Sequence, residues 1–258
     1  MSYADIHCHL LPAVDDGARD TRESIAYARR LVAEGVSEVV ATPHIGHPVL
    51  GVDPAEVPDR VYALRDSLGA AGVDLKVHVG GELFPHGTGE TADELLAPLA
   101  QGPEDARWLL IEVPFAGVDV EFVAECRTLM ARGYGLVIAH PERARGLLEG
   151  GWELIEPLVS SGALLQVNVC SLLGNNGLEA QQAAEALIRG GQAFVIASDA
   201  HPGTREHTIA LGFSLALRAG ASSVQAWRLT QANPRFLLES GIPKGPIGSP
   251  FSRPQVRA

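Results

Sequence analysis

Sparse cysteine, a deficit of basic charge and the absence of long apolar runs remove several protein classes at once. Only three cysteines, Cys8, Cys126 and Cys170, occur in 258 residues. An odd, scattered set does not make a disulfide framework and fits a reducing compartment. No apolar run approaches the ~18 residues that a membrane span requires. The N-terminus, MSYADIHCHL, has neither the basic nor the apolar region of a signal peptide, so the cytoplasm is the expected location. Lysine and arginine total 20 against 31 acids, a net charge of −11. Such a surface repels phosphate backbones, and no nucleic-acid partner is expected. There is no internal repeat. There is also no glycine-rich phosphate loop after the first β-type run, which continues into HCHLLPAVDDG; this argues against an open dinucleotide-binding sheet.

Hydrophobic residues make up 46% of the chain, enough for a sizeable core. Seven β-type runs are read: Tyr3–Ile6, Val36–Ala41, Leu75–Gly80, Trp108–Val113, Gly135–Ala139, Leu164–Val169 and Phe194–Ser198. Several are continuously apolar, as expected of parallel strands buried on both faces. Helical spacing lies between them at Thr21–Glu34, Pro58–Ala71, Glu121–Arg132, Trp152–Ser161 and Glu179–Arg189. In the first of these, Ile25, Ala28 and Val32 are expected to face the core, and Asp20 and Glu23 have capping-box spacing. Alternating strands and helices predict an α/β protein with a seven-stranded, TIM-like (β/α) barrel over residues 1–240. The proline-rich, acid-free segment 241–258 is expected to be an extended or disordered tail.

Metal-capable side chains recur where these strands end. His7 and His9 follow the first strand, and Asp16 sits in the loop beyond it. His44 follows the second strand and Glu82 the third. Glu112 closes the fourth, His140 follows the fifth, and Asp199 and His201 follow the seventh. In a parallel barrel all these ends open on one face. Core packing does not require such a set, because buried carboxylates and imidazoles are costly unless paired or bound to a cation. Alternate residues of an extended segment point the same way, so His7 and His9 can reach one ion, and Asp199 and His201 repeat that spacing. Mixed imidazole and carboxylate donors suit Mn, Fe or Zn. Nine donors exceed the needs of one ion and suit two or three. Clustered divalent ions point to hydrolysis by an activated water, and a phosphoester would call for arginine as well. Arg143 and Arg205 follow two of the ligand positions closely.

The motifs DIHCHLLP, ATPH, GGEL, IAHPER and ASDAH, in this order, resemble the polymerase and histidinol phosphatase (PHP) superfamily. The run DIHCHLLPAVDDGARD is most similar to its bacterial branch of manganese-dependent protein-tyrosine-phosphatases, which regulate capsule and exopolysaccharide synthesis. The similarity spans residues 5 to about 205. It implies a distorted seven-stranded barrel of PHP type and a trinuclear site, most simply of Mn. The ligands implied are His7, His9, Asp16, His44, Glu82, Glu112, His140, Asp199 and His201, with Arg143 and Arg205 on the phosphate. The step expected at such a site is direct attack by a metal-bound hydroxide on phosphorus, with Asp199 or His201 holding the relevant metal. The substrate would be phosphotyrosine on a protein partner, a bacterial tyrosine kinase of polysaccharide synthesis. Two other readings remain at this point. One is a small-molecule phosphatase, such as one acting on histidinol phosphate; the other is a non-catalytic regulator that binds a phosphorylated partner.

Cys126 and Arg132 match C-x5-R, the signature of cysteine-dependent tyrosine phosphatases. That chemistry needs a loop of backbone amides around a thiolate. Here the segment reads as an amphipathic helix with Cys126 on the apolar face, so the match is taken as chance. His78 reads as structural. His47, His86 and His207 read as surface residues, with His47 alone kept for a contact to substrate.

Overall fold

The computed structural model describes residues 2–242. It is an α/β structure in which all the paired strands are parallel. Nine strands occur among the described residues: β1 Tyr3–Cys8, β2 Val36–Ala41, β3 His44–Ile45, β4 Lys76–Val79, β5 Glu82–Leu83, β6 Trp108–Glu112, β7 Gly135–Ala139, β8 Leu164–Asn168 and β9 Ala193–Ala197. They form two sheets, ordered β1-β2-β4 and β3-β5-β6-β7-β8-β9. This differs from the single closed sheet of seven strands expected. The second and third runs are found as β2 and β4, but each continues after an interruption of two residues into a short further strand, β3 or β5, in the other sheet. The chain leaves one sheet after Ala41 or Val79 and joins the other at His44 or Glu82. Both interruptions therefore fall where a candidate ligand emerges.

A second junction joins β1 to the residues after β9. The Asp199 amide donates to the His7 carbonyl at 2.9 Å, and the His9 amide donates to the Ala200 carbonyl at 2.9 Å. Buried Asp5 adds to this seam, its Oδ1 accepting from the Ser198 amide at 3.1 Å. The first and last strands are thus stitched at their C-terminal ends, which carries His7 and His9 to Asp199 and His201.

Helices lie between the strands: α1 Thr21–Ala33, α2 Val57–Ala70, α3 Asp93–Leu96, α4 Val120–Ala131, α5 Gly151–Ser160, α6 Val169–Leu172, α7 Leu178–Arg189, α8 Gly212–Arg218, α9 Ser223–Trp227 and α10 Asn233–Ser240. The N-cap of α1 forms as expected, Asp20 Oδ1 accepting from the Glu23 amide at 2.8 Å. The return half of the capping box does not, because the Glu23 carboxylate is taken by the Arg19 amide and guanidinium. The buried face of α1 is Ser24, Tyr27, Ala28 and Leu31, whereas Val32 is exposed. The expected face was therefore rotated: Tyr27 rather than Val32 supplies the bulk against the sheet.

Alternation along the strands divides the core in two. Leu109, Ile111, Leu136 and Ile138 face outward into the large cluster shared with the helices. Trp108, Leu110, Val137 and Ala139 face inward, with Ile6, Val40, Val195 and Ala197. Leu237 and Ile242 join this inner cluster at the N-terminal ends of the strands. There the Trp108 indole donates to the Leu237 carbonyl at 2.8 Å, and the Ile242 amide donates to the Ala106 carbonyl at 2.8 Å. Gly135 is required at this contact, since a Cβ there would stand 2.5 Å from the Ile242 side chain. Burying side chains of this size contributes roughly 1.5–3 kcal/mol each. Gly241 and Ile242, the first residues of the expected tail, are thus packed; the rest of that tail lies outside the described residues. With the N-terminal end plugged, the C-terminal end is left for the site. Among the described residues no helix is long and apolar enough to cross a membrane.

Candidate functional site

At the C-terminal ends of the strands lies a cavity of about 280 Å³. Asp16, His44, Glu82, Glu112 and Asp199 line it, together with Arg143 and Arg205. His7, His9, His140 and His201 are buried against that lining, each no more than 1% exposed. All eleven residues singled out from the sequence therefore meet in one place.

Glu82 is the hub. Its Oε1 lies 2.8 Å from His140 Nε2, and its Oε2 lies 3.3 Å from His7 Nε2 and 3.2 Å from His9 Nε2. The same Oε2 is 3.3 Å from His44 Nδ1. Asp199 Oδ1 faces the same pair of imidazoles, 3.6 Å from His7 and 3.5 Å from His9. Asp16 Oδ1 bridges His201 Nε2 at 3.1 Å and His44 Nε2 at 3.4 Å. Three overlapping groups have ligand atoms within 4.8 Å of one another: His9, Asp16, His44 and His201; His7, His9 and Glu82; and His44, Glu82 and Glu112. Sharing of His9, His44 and Glu82 between groups is the geometry expected where ions lie close together and carboxylates bridge.

The backbone supports this arrangement at a cost. Among the described residues, only Ala13, His140 and Asp199 are non-glycine residues with positive φ, the latter two at 33° and 47°. Left-handed backbone at such residues costs on the order of 1–3 kcal/mol and persists where surrounding structure imposes it. His140 and Asp199 each lie just past the end of a strand, β7 or β9, where the turn brings a candidate ligand to the cluster.

The titration behaviour points to a set short of positive charge. Burial pushes Glu112 up to about 9, and the neighbouring Glu82 carboxylate adds to the effect. Burial likewise pulls His140 down to about 4, against the opposing effect of Glu82. At His7, burial would lower the pKa, but Glu82 and Asp199 outweigh it and raise it. For Asp199, burial is overcome by His7, His140, Arg205 and His201, so its carboxyl is held below the usual range. The buried nitrogen His140 Nδ1 lacks a hydrogen-bond partner, and His44 Nδ1, 3.3 Å from Glu82 Oε2, makes no hydrogen bond of good geometry. Orphaned imidazole nitrogens beside a carboxylate forced to keep its proton are what a cation site looks like when read through its donors alone. The donor set, all imidazole and carboxylate, fits divalent ions of the Mn, Fe or Zn type.

Several supporting residues were not singled out beforehand. Asp15 Oδ2 accepts from His9 Nδ1 at 2.8 Å and from the His44 amide at 3.1 Å, fixing the His9 ring with Nε2 toward the cluster. Gln166 Oε1 does the same for His7 Nδ1 at 2.9 Å. The Asn168 amide group donates to Asp199 Oδ2 at 2.6 Å. Such partners set the tautomer and orientation of metal ligands. The sequence did carry signals: two adjacent acids in VDDG, and single polar residues inside the apolar run LLQVN. Arg143 stacks at 4.0 Å over the Phe115 ring and lies 3.3 Å from Asp199. It does not pair with Glu142, which is buried and accepts from the Asn168 amide. Arg205 Nη2 sits 2.7 Å from His201 Nε2 and 3.5 Å from Asp199. His47, kept from the sequence for a contact to substrate, and His86, read as a surface residue, both line the cavity with Phe84.

The C-x5-R match is chance, as expected. Cys126 is fully buried in α4, and burial raises its thiol pKa well above the ordinary value. Arg132 instead donates to the Gly89 and Thr91 carbonyls at 2.6 and 2.7 Å, pinning the loop that follows Phe84. His78 is structural, bonded to Glu38 at 3.0 Å.

The family model described as capsular polysaccharide synthesis, CpsB/CapC, matches residues 3–239. Tyrosine-protein phosphatase YwqE of Bacillus subtilis is 36% identical over 197 residues, 76% of each chain. CapC of Staphylococcus aureus is 32% identical over 197 residues, again 76% of each. A solved structure described as YwqE from Bacillus subtilis and CpsB from Streptococcus pneumoniae, unique metal-dependent tyrosine phosphatases, superposes with a TM-score of 0.78. It is 31% identical, and the superposition covers 94% of this chain and 97% of that one. With the model spanning nearly its whole described length and these likenesses in sequence and fold, the chain belongs to the CpsB/CapC family of capsular polysaccharide synthesis.

Proposed function

We propose that this chain is a metal-dependent phosphatase that hydrolyses phosphotyrosine on a protein partner. The observation that carries the reading is the convergence of His7, His9, Asp16, His44, Glu82, Glu112, His140, Asp199 and His201 on one cavity that two arginines also line. In this reading those nine side chains hold two or three divalent ions, with Mn the first choice. Bound there, such ions supply an acidified water as nucleophile and offset charge on the phosphoryl oxygens.

The chain's own groups account for the remaining steps. Asp15 and Gln166 orient His9 and His7, so the ligand rings need no rearrangement when ions bind. Arg143 and Arg205 donate to the equatorial oxygens, where charge grows during transfer. Phe115 holds the Arg143 guanidinium flat, which limits the rotamers to be frozen on binding. Phe84 and Phe115 give the cavity an aromatic wall suited to a phenyl ester. A tyrosyl leaving group is acidic enough to depart with little protonation. The partner proposed is a phosphotyrosine-bearing tyrosine kinase of polysaccharide synthesis. A cytoplasmic setting accords with three free, buried cysteines. Taking β2 with β3 and β4 with β5 as single interrupted strands gives the distorted seven-stranded barrel of PHP type.

Phosphate release from a phosphotyrosyl peptide, a phosphoseryl peptide and histidinol phosphate, with EDTA and then with added Mn, tests this reading. The phosphotyrosyl peptide should turn over fastest, EDTA should abolish release, and Mn should restore it. Preference for histidinol phosphate would move the substrate to small molecules. Tight binding of the phosphopeptide without release would make the chain a non-catalytic regulator.

A further inference from the structure

His47 has an arrangement that the phosphatase reading does not use. It lies in the loop 46–51, which is closed by backbone bonds: the Gly51 amide donates to the His47 carbonyl at 3.1 Å, and the Val52 amide donates to the His44 carbonyl at 3.0 Å. Gly51 permits this closure, since a Cβ there would lie 2.7 Å from the His47 carbonyl oxygen. The ring is held from three sides. Its Nδ1 accepts from the Val49 amide at 3.2 Å and from the Leu50 amide at 2.9 Å. It packs edge-on against Phe84 at 5.1 Å and tilted against His44 at 5.4 Å.

Two backbone amides directed at one ring nitrogen decide the tautomer. Nδ1 must present its lone pair, so the ring proton resides on Nε2. With both amide hydrogens on Nδ1, a second ring proton has no place there, so the bonded ring is the neutral tautomer. Among the described residues Nε2 has no hydrogen-bond partner, and His47 lines the cavity that Arg143 and Arg205 also line. A rigid, uncharged N–H donor therefore stands on the wall of an acid-rich cavity, in a loop already ordered.

We propose that His47 is a substrate-binding residue whose Nε2–H donates to a phosphoryl oxygen of the bound phosphomonoester. The proposal rests on the phosphatase reading above and adds a third donor, uncharged, to the two arginines. A donor of this kind strengthens the grip on an anionic oxygen without adding charge that would repel a cation. It also places the phosphoryl group between the Phe84 side of the cavity and the Arg143 side.

Two substitutions separate this role from that of a loop tie. In His47→Asn the side-chain oxygen can still accept from the amides two and three residues on, as in an Asx turn, but nothing replaces Nε2–H. In His47→Gln the longer amide reaches the position of Nε2 and can donate there, while the Nδ1 acceptor is lost. The measurements are calorimetric binding of inorganic phosphate to the metal-loaded protein and kcat/KM on a phosphotyrosyl peptide, with thermal melts alongside. His47→Ala and His47→Asn should both weaken phosphate binding and kcat/KM by about ten- to a hundred-fold, the scale of one hydrogen bond to a charged group. His47→Gln should recover most of the loss. Wild-type behaviour in His47→Asn with loss in His47→Gln would reduce His47 to a loop tie and overturn the proposal. Three variants indistinguishable from wild type would do the same. Metal-loaded wild-type protein that neither binds phosphate nor releases it from the peptide overturns the phosphatase reading itself.

Discussion

Glu112→Gln should stabilise the metal-free protein and weaken the metal-loaded one. The Glu112 carboxyl is pushed from 4.5 to about 9 by burial and by the Glu82 charge. Its folded pKa is therefore raised, and the native chain keeps a proton that the unfolded chain releases. Stability from this group is fully present below pH 4.5 and is lost as pH climbs toward about 9. At about 1.4 kcal/mol per pH unit, the loss between pH 4.5 and 7 is roughly 3 kcal/mol, an upper bound because relaxation and water entry soften it. Glutamine fills nearly the same volume and carries no titrating proton. The difference between variant and wild type isolates Glu112 from the other groups of the cluster. Urea denaturation of EDTA-treated protein at pH 5, 7 and 8.5 measures it. The two proteins should have similar stability at pH 5, and the variant should gain steadily above that. Added Mn should reverse the order at pH 7, because Glu112, in the group with His44 and Glu82, would hold a cation in place of the proton, and the variant lacks that carboxylate. A variant no more stable than wild type at pH 8.5 without metal, or one that gains as much from Mn as wild type does, would refute the reasoning.

Three further substitutions probe the surroundings. Asp15→Asn should leave the fold intact but lower metal affinity by about 10–100-fold, read by competition with a chelating dye, because an uncharged amide has one acceptor oxygen where Asp15 uses two, toward His9 and toward Gly17. Phe115→Leu removes the surface on which Arg143 lies and should raise KM for a phosphotyrosyl peptide about 2–10-fold, with metal content unchanged. Cys126→Ser should keep full specific activity while losing about 1–3 kcal/mol of stability, since a hydroxyl replaces a thiol in an apolar site. A dead Cys126→Ser variant, together with wild-type activity that EDTA leaves untouched, would return the chemistry to the cysteine.

The candidate ligands were legible as a cluster because their positions combine two independent regularities. Apolar runs such as LVIA announce buried strands, and a polar, metal-capable residue at the end of such a run has no packing reason to be there. Gly135–Ala139 and Val36–Ala41 are found with the expected bounds. The breaks after β2 and β4 were not legible, because the strands beyond them, His44–Ile45 and Glu82–Leu83, are two residues long and too short to show a period. The orientation of α1 was misread for a similar reason: Tyr27 and Val32 both satisfy helical spacing, and only the depth of the sheet selects the larger ring. In VDDG the two acids are chemically equivalent as text. Their division, Asp16 toward His44 and His201, Asp15 behind His9, depends on the turn that Gly17 closes against the His9 carbonyl. Gln166 and Asn168 escaped notice because partners of ligands leave no spacing pattern of their own.

Metal stoichiometry tests the central claim most directly. Protein loaded with Mn, freed of excess ion by gel filtration and assayed by plasma mass spectrometry should carry two or three ions per chain, and Glu82→Ala should lose most of them, because Glu82 contacts four of the imidazoles. Fewer than one ion per wild-type chain, or undiminished content in Glu82→Ala, would contradict the account.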